Sequence, residues 1–371
     1  MIIQSDKVFI SGMFMPAAIE IQNSKIARVM AQGSVRPDAD YGGRMILPGF
    51  IDIHTHGAYG FDVDSGEADG LSLWAKRLPE EGVTSFLPST TSQPTDVTVA
   101  ALENIADVMA GNPVGAEILG AHLEGPMLDK KYRGAHPEAC LRPPTIDLFT
   151  KMQLAAKGQI KYLTLAPEHD ADFNLTRLAT ENGVVVSVGH SGADLGTAML
   201  AVANGAKSFT HSFNAMSGVH HRSPGVAAAL MRCYEFAEIV GDGLHVFPDI
   251  INILFKAHPR MILISDSLKI KGLSPGVYGE RELRADGAAY AAGTDTMAGS
   301  AMFMNKGVKL LVREALVSIE AAILAATLHP ALLLGIEARK GQIKAGNDAE
   351  IIVMDDDFNV IQTYCRGEEM L

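Results

Sequence analysis

Histidine and carboxylate side chains recur at the ends of apolar runs along this chain. The first case is His54-Thr55-His56, which closes the run beginning MILPGFIDI. Residues two apart in a strand point to the same side, so these two imidazoles can bind one cation together. Further ligand-type residues end later apolar runs, namely Glu124, His190 and His211. Because imidazoles and carboxylates occur without thiolates, the set predicts a site for one or two divalent ions, with Zn²⁺ or Fe²⁺ favoured.

Asp266 ends the last of these runs, in the segment ILISDS. A carboxylate beside a metal-activated water is a natural general base, because the metal lowers the pKa of that water toward about 7. The protonated aspartate can then deliver its proton to a leaving amine. An aspartate at a strand end can also simply cap the next segment. Its place after five ligand-type residues favours the catalytic role.

The elements that must position these residues are eight short apolar runs, each followed by a stretch of helical character. The runs cover residues 45–53, 83–89, 117–124, 160–167, 184–190, 207–211, 236–243 and 260–266. The clearest amphipathic stretches between them are 96–110, 193–203 and 248–257. Continuous apolar strands that alternate with helices indicate a parallel sheet covered on both faces. Eight units predict an α/β fold, a (β/α)₈ TIM-like barrel, whose active site lies at the C-terminal strand ends.

The two ends of the chain have a different pattern. Short runs alternate apolar and polar residues near the N-terminus (KVFI, AAIEIQ, KIARVM) and again near the C-terminus (AEIIVMD, FNVIQTYCRG). This alternation is typical of antiparallel strands. We therefore predict a small β-sandwich domain built from residues 1–46 and 337–371, wrapped around a catalytic barrel of residues 47–336.

Composition limits the cellular context and the partners. The 371 residues carry a formal net charge of -12, which argues against a nucleic-acid or anionic-membrane partner. The three cysteines, Cys140, Cys233 and Cys365, are far apart and predict reduced thiols. The N-terminus has no basic segment followed by an apolar one, so we expect no signal peptide. These features predict a cytoplasmic enzyme.

Several segments together resemble a known family. PGFIDIHTHG, HLEGP, VGHSGA, THSFNAM, GDGLHV, LISDS and KGQIKAGNDAEIIVMD are similar, in this order, to N-acetylglucosamine-6-phosphate deacetylases of the amidohydrolase superfamily. The resemblance implies hydrolysis of N-acetyl-D-glucosamine 6-phosphate to D-glucosamine 6-phosphate and acetate, in amino-sugar catabolism. Dihydroorotase-like relatives bridge two metals with a carboxylated lysine after strand four. This chain has Ala166-Pro167-Glu168 at that place, which fits the deacetylases.

The resemblance also implies roles for individual residues. Glu124, His190 and His211 match metal ligands found throughout the family, and His54 and His56 match a further pair that only some members have. Asp266 matches the catalytic aspartate. His136, in RGAH, matches a histidine that helps to polarise the amide carbonyl. Positions that contact sugar and phosphate are matched by Asn214, Ala215, Arg222, His245, Met297 and Ala298.

Binding of a phosphate by an acidic protein requires a local cation. The loop residues His220-His221-Arg222 are a candidate anion site, because guanidinium offers a planar fork for phosphate, although a solvated loop charge is the simpler explanation. The family resemblance implies a homodimer, and we predict that Arg222 crosses into the partner's pocket. Asp242, between two glycines, either orients a ligand histidine or forms a turn.

Two alternatives remain open at this point. The substrate could be the 6-phosphate of another N-acetylhexosamine, such as N-acetylgalactosamine. The barrel could also have lost catalysis and serve as a binding scaffold, since one fold supports many functions. A scaffold would have no reason to retain both the ligand set and Asp266, so we favour the deacetylase.

Overall fold

Strands and helices alternate through the middle of the chain in the computed structural model, which describes residues 1–371. The strands are β1 Ile2–Ile10, β2 Met13–Gln22, β3 Lys25–Ala31, β4 Ala39–Asp40, β5 Met45–Pro48, β6 Phe50–Thr55, β7 Gly57–Ala58, β8 Phe61–Asp62, β9 Val83–Thr90, β10 Glu117–Ile118, β11 Ala121–Glu124, β12 Ile160–Leu165, β13 Val185–Val188, β14 Ser208–Phe209, β15 Phe236–Val240, β16 Met261–Ile264, β17 Gly276–Tyr278, β18 Arg281–Leu283, β19 Ala289–Ala291, β20 Ile351–Met354, β21 Val360–Cys365 and β22 Glu368–Glu369. The helices are α1 Ala68–Arg77, α2 Thr95–Ala110, α3 Ile146–Ala155, α4 Asn174–Glu181, α5 Leu195–Ala203, α6 Val226–Arg232, α7 Pro248–Ala257, α8 Met304–Arg313, α9 Ile319–Ala326 and α10 Leu328–Leu333.

Eight parallel strands form a nearly closed barrel, as the sequence predicted. They follow one another in chain order, from β6 through β9, β11, β12, β13, β14 and β15 to β16. Near the C-terminal strand ends, backbone hydrogen bonds link the last strand region to the first, from Asp266 N to His54 O at 2.9 Å and from His56 N to Ser267 O at 2.8 Å. All eight residues of β9 are buried, because the barrel interior covers one face and helices cover the other.

The predicted helices are present with small shifts at their starts. Residues 96–110 correspond to α2, and residues 248–257 coincide with α7. Helix α5 begins at Leu195, two residues later than predicted, because the Asp194 side chain accepts a hydrogen bond from Thr197 N at 2.7 Å and caps the helix. None of the helices combines the length and hydropathy that crossing a bilayer would require.

Strands from both chain ends form a separate sheet, as predicted. The order is β22, β21, β20, β5, β1, β2 and β3, and β4 also pairs with β1. The two ends meet where β5 pairs antiparallel with β20, with Ile46 opposite Val353. Apolar residues of both ends share one core, including Ile3, Ile19 and Ile351. The domain boundaries at residues 46 and 337 stay a prediction.

A three-stranded antiparallel insertion, β17 to β19, follows the eighth barrel strand and precedes α8. No element was predicted there from the sequence. The insertion has its own small core of Ile270, Leu283 and Ala289. It is joined to the next loop by a hydrogen bond from Ala298 N to Ala289 O at 3.1 Å. This unpredicted element therefore lies against the segment of Ala298, for which the family resemblance implies substrate binding.

Candidate metal centre

The five predicted ligand residues meet at the C-terminal end of the barrel. The Glu124 carboxylate lies at the centre of the group. Its Oε1 is 3.2 Å from Nε2 of His190, 3.2 Å from Nε2 of His211 and 3.3 Å from Nε2 of His54. Its Oε2 is 3.2 Å from Nε2 of His56. Histidines from three separate strand ends are thus brought to the carboxylate of Glu124, which ends a fourth strand.

Hydrogen bonds on the far side of three imidazoles determine which nitrogen faces the centre. Nδ1 of His190 is 2.9 Å from the Tyr132 carbonyl, and Nδ1 of His56 is 3.0 Å from the Ser89 carbonyl. A carbonyl oxygen only accepts, so each Nδ1 carries a proton, and in the neutral imidazole Nε2 keeps its lone pair. Nδ1 of His54 likewise donates to the Glu238 carboxylate at 3.0 Å. Such outer partners are typical of metal-ligating histidines.

These lone pairs give a test of whether a cation fits the site. Nε2 of His54 is 3.2 Å from Nε2 of His56, and Nε2 of His190 is 3.0 Å from Nε2 of His211. In neutral His54 and His56 the two Nε2 lone pairs are directed at one another and repel, unless a proton or a metal ion lies between them. The donor set is nitrogen and oxygen without sulfur, which suits a borderline divalent metal. The residues present therefore fit a metal centre.

The electrostatics of the site agree with this. Burial lowers the pKa of His56, but hydrogen bonds to Asp266 and Glu124 outweigh burial and raise it to about 10. Burial likewise lowers the pKa of His54, yet the Glu124 charge leaves it well above its usual value. For Glu124 burial raises the pKa, while the His54 charge holds it well below the usual range. The carboxylates of Glu124 and Asp266 both stay ionised, because their pKa values are lowered. The pocket therefore stabilises positive charge.

The backbone is unusual at three of these strand ends. His190, His211 and Asp266 have φ values of +47°, +29° and +48°. The left-handed region is costly for residues other than glycine, by about 1–3 kcal/mol each, and such residues cluster at functional sites. The conformation turns the chain sharply just after β13, β14 and β16.

Gly189, directly before His190, is required by close packing. A Cβ at this position would lie 2.6 Å from Cβ of Thr210 and 2.7 Å from Cγ2 of Thr164. Gly189→Ala is therefore expected to lower the free energy of unfolding by about 1–3 kcal/mol, as overpacked substitutions do. Gly196→Ala in α5 is the matched control, because its Cβ would have no neighbour closer than 3.5 Å. Urea denaturation checks this, and equal stability of both variants would contradict the packing argument.

Asp266 and His136 border the same centre. Asp266 Oδ1 lies 3.3 Å from Nε2 of His56 and 3.7 Å from Nε2 of His54. His136 Nε2 is 3.6 Å from Glu124 Oε2. The Ser92 backbone N–H donates to Nδ1 of His136 at 3.0 Å, so the proton of a neutral His136 is on Nε2. His136 thus differs from the three histidines above, because it presents a donor to the site.

A cavity of about 270 Å³ opens beside the centre. Five of the six predicted substrate positions line it, namely Asn214, Ala215, His245, Met297 and Ala298. Arg222 does not: within this chain it is exposed on a loop outside the cavity. Asp242 forms a turn, because it accepts from the backbone N–H of His245 at 2.9 Å. It also contacts Nδ1 of the same imidazole at 2.6 Å, so the histidine it orients is a predicted substrate residue and not a predicted metal ligand.

Other residues of the site were not predicted from the sequence. Glu238 is fully buried within β15, where it contacts His54 and accepts from His211 N at 3.1 Å. A carboxylate inside an apolar strand is rare unless it is paired, so its place in FAEIV could have drawn attention to it. Glu280 and Arg281 of the unpredicted insertion also line the cavity. No spacing or motif in their segment indicates this.

Comparisons with known proteins place the chain among characterised hydrolases. The model of the amidohydrolase family matches residues 45–370. The chain is 41% identical over 344 residues to the N-acetylglucosamine-6-phosphate deacetylase of Bos taurus, which covers 89% of this chain and 84% of that protein. It is 32% identical over 329 residues to the N-acetylgalactosamine-6-phosphate deacetylase of Escherichia coli O157:H7, with 87% of each covered.

A solved structure matches over the whole length. It is the N-acetyl-D-glucosamine-6-phosphate deacetylase from Mycobacterium smegmatis, determined as a mutant in complex with N-acetyl-D-glucosamine-6-phosphate. The TM-score is 0.94 at 29% sequence identity, and the match covers 100% of this chain and 99% of the other.

Proposed function

The chain belongs to the amidohydrolase family, and we propose that it is a metal-dependent deacetylase that converts N-acetyl-D-glucosamine 6-phosphate to D-glucosamine 6-phosphate and acetate. The observation that carries this proposal is the Glu124 carboxylate, surrounded by imidazole nitrogens beside Asp266 and next to a cavity of sugar size. Relatives with this activity match most of the chain. A non-catalytic scaffold would not require such a centre.

Glu124, His190 and His211 would hold one metal ion, and His54 and His56 would hold a second with Glu124 shared between them. The donor set favours zinc or iron. When bound, such an ion polarises a carbonyl oxygen and makes water a stronger nucleophile at neutral pH. Glu238 supports this arrangement, because its contact with Nδ1 of His54 keeps the His54 Nε2 lone pair directed at the centre.

Asp266 would accept a proton during hydrolysis and transfer it to the leaving nitrogen. Burial raises the pKa of its carboxyl, but the neighbouring His54 charge lowers it well below the usual value, so the group is ionised and can accept a proton. Proton transfer to the amide nitrogen would then release the amine. His136, with its proton on Nε2, would donate a hydrogen bond to the amide oxygen as negative charge develops there.

In a homodimer, Arg222 is proposed to contact the phosphate of the substrate that is bound in the neighbouring subunit, since Arg222 lies outside the cavity of its own chain. Arg222→Ala is expected to lower kcat/KM for the phosphorylated sugar roughly 10–150-fold, the value of one charged hydrogen bond. Some of the loss should appear in kcat, because remote binding energy orients the amide. Steady-state kinetics with N-acetylglucosamine 6-phosphate and with unphosphorylated N-acetylglucosamine checks this. An equal loss of kcat/KM for both compounds would mean that Arg222 supports the fold or the dimer.

The N-acetylgalactosamine 6-phosphate epimer is the second candidate substrate, favoured by the 32% identity to a deacetylase of that sugar. Acetate release should be measured on both epimers, with metal-free protein and with added zinc or iron. We expect kcat/KM to be highest for the N-acetylglucosamine compound and to depend on added metal. A preference for the other epimer would reverse the substrate assignment, and metal-independent turnover would refute the mechanism.

A further inference from the structure

The segment that follows β9 lies against His136. Ser92 of this segment is fully buried, and its hydroxyl oxygen is 2.9 Å from Nδ1 of His136, the same nitrogen that accepts from the Ser92 backbone N–H. Since Nδ1 is an acceptor, the hydroxyl donates to it as well. The Ser92 hydroxyl has no other hydrogen-bond partner in the structure. Both polar groups of Ser92 therefore act on one nitrogen of His136.

The arrangement at Nδ1 of His136 is the reverse of that at His56 and His190. Those two imidazoles have a carbonyl oxygen at Nδ1, which leaves the Nε2 lone pair for a cation. His136 has two donors at Nδ1, so in the neutral ring Nε2 carries the proton and presents it to the centre. Whether the imidazole is a ligand or a hydrogen-bond donor is thus decided at Nδ1, here by Ser92.

Close packing limits the movement of the Ser92 side chain. A Cβ at Gly125 would lie 2.2 Å from Oγ of Ser92. Gly125 directly follows Glu124, so the hydroxyl is packed against the backbone next to the central carboxylate. Only a residue without a side chain at position 125 leaves room for the hydroxyl where it contacts His136.

A carboxylate outside the cavity fixes the segment that carries Ser92. Asp64, in the turn Val63–Ser65, accepts hydrogen bonds from the backbone N–H of Thr91 at 3.1 Å and from the Thr91 hydroxyl. The side-chain amide of Gln93 is a further donor to Asp64, at 3.4 Å. The residues on both sides of Ser92 are therefore tied to one carboxylate. Neither Ser92 nor Asp64 lines the cavity, so an effect of either on turnover must pass through its neighbours.

We propose that Ser92 and Asp64 are positioning residues of the deacetylation. Asp64 holds the segment of residues 91–93, and Ser92 keeps His136 in the tautomer that donates from Nε2 to the amide oxygen. This inference rests on the proposed function. A donor that is already oriented stabilises the developing negative charge without reorganisation during the reaction. The two donors at Nδ1 supply this orientation before substrate binds.

The first test is kinetic. Ser92→Ala removes the hydroxyl donor but keeps the backbone N–H, and we expect it to lower kcat about 2–13-fold, the value of one neutral hydrogen bond. KM should stay close to wild type, because His136 acts on the transition state. Asp64→Ala should lower kcat at least as much. Asp64→Asn should recover part of that loss, because its carbonyl oxygen can still accept from the Thr91 backbone.

Asp170→Ala is the matched control for Asp64→Ala. Asp170 is a buried carboxylate that accepts from the backbone N–H and the hydroxyl of Thr176, in the same manner as Asp64 with Thr91, but it lies outside the cavity and away from His136. Asp170→Ala should retain kcat within about threefold of wild type. A loss of kcat equal to that of Asp64→Ala would overturn the proposal, because it would indicate a general loss of structure.

A double-mutant cycle separates positioning from a structural role. In the His136→Gln background, Ser92→Ala should change kcat less than about twofold, because the residue through which Ser92 acts is absent. The same fold loss in both backgrounds would overturn the proposal, since Ser92 would then act without His136. Unchanged kcat in both Ser92→Ala and Asp64→Ala would overturn it as well.

The tautomer of His136 can be measured without substrate, by ¹⁵N NMR of zinc-loaded protein labelled at histidine, with His136→Gln to identify the resonances. We expect protonation at Nε2 alone in wild type, and a population protonated at Nδ1 in Ser92→Ala/Asp64→Ala. If wild type releases no acetate, the proposed function fails, while this change of tautomer would still support the role of Ser92 and Asp64. An unchanged tautomer in the double variant would overturn that role, whatever the turnover.

Discussion

Asp266→Asn is expected to lower kcat by about 10²–10⁴-fold while leaving metal content and substrate binding close to wild type. The side chain lies 3.3 Å from Nε2 of His56. Burial raises the pKa of its carboxyl, but the charges of the neighbouring imidazoles outweigh burial and keep it ionised. Asparagine keeps the size and can still accept a hydrogen bond, but it cannot take a proton. Single-turnover acetate release, metal analysis and binding of the unreacted substrate measure the three quantities separately.

Asp249→Asn serves as the matched control for this loss of charge, because Asp249 is exposed in the first turn of α7. It should retain kcat within about threefold of wild type. Wild-type turnover by Asp266→Asn would show that another group transfers the proton. Loss of bound metal from Asp266→Asn would instead make Asp266 a ligand, and the assignment of the base would be wrong.

The second large effect concerns metal stoichiometry. His54→Ala/His56→Ala is expected to reduce bound metal from near two equivalents to near one, measured after saturation and removal of free ions. The Nε2 atoms of the pair are 3.2 Å apart and directed at one another, and Oε2 of Glu124 lies 3.2 Å from His56 Nε2. Two-metal hydrolases space their ions by about 3.5–4 Å, which suits one carboxylate shared between them.

His220→Ala/His221→Ala provides the control for this double substitution. These two imidazoles are also neighbours, with ring centroids 4.5 Å apart, but both are exposed and outside the cavity. Their removal should leave the stoichiometry at two, which excludes adventitious binding to a histidine pair. One equivalent in both wild type and His54→Ala/His56→Ala would refute the second metal position.

Several features of the molecule were determined by the sequence alone. The apolar runs are long enough to be buried on both faces and alternate with amphipathic stretches, which favours a parallel barrel over other arrangements. Since parallel strands of a barrel all end at one rim, a polar residue at the end of each run is directed to that rim wherever it lies in the chain. For this reason His54, Glu124, His190, His211 and Asp266 could be grouped before any coordinate was known.

The tertiary structure decided what lies around that group. Glu238 contacts His54 across 184 positions of sequence, and the directions of the His56 and His190 imidazoles depend on the backbone carbonyls of Ser89 and Tyr132. The arginines show the same dependence: Arg222, singled out from its loop, is exposed within this chain, whereas Arg281, in an insertion that no pattern predicted, lines the cavity. Strand periodicity determines side-chain direction locally, so it can place residues on a rim. The position of an insertion over that rim depends instead on long-range packing, here of Leu283 and Ala289 against Ile270, which no local pattern encodes.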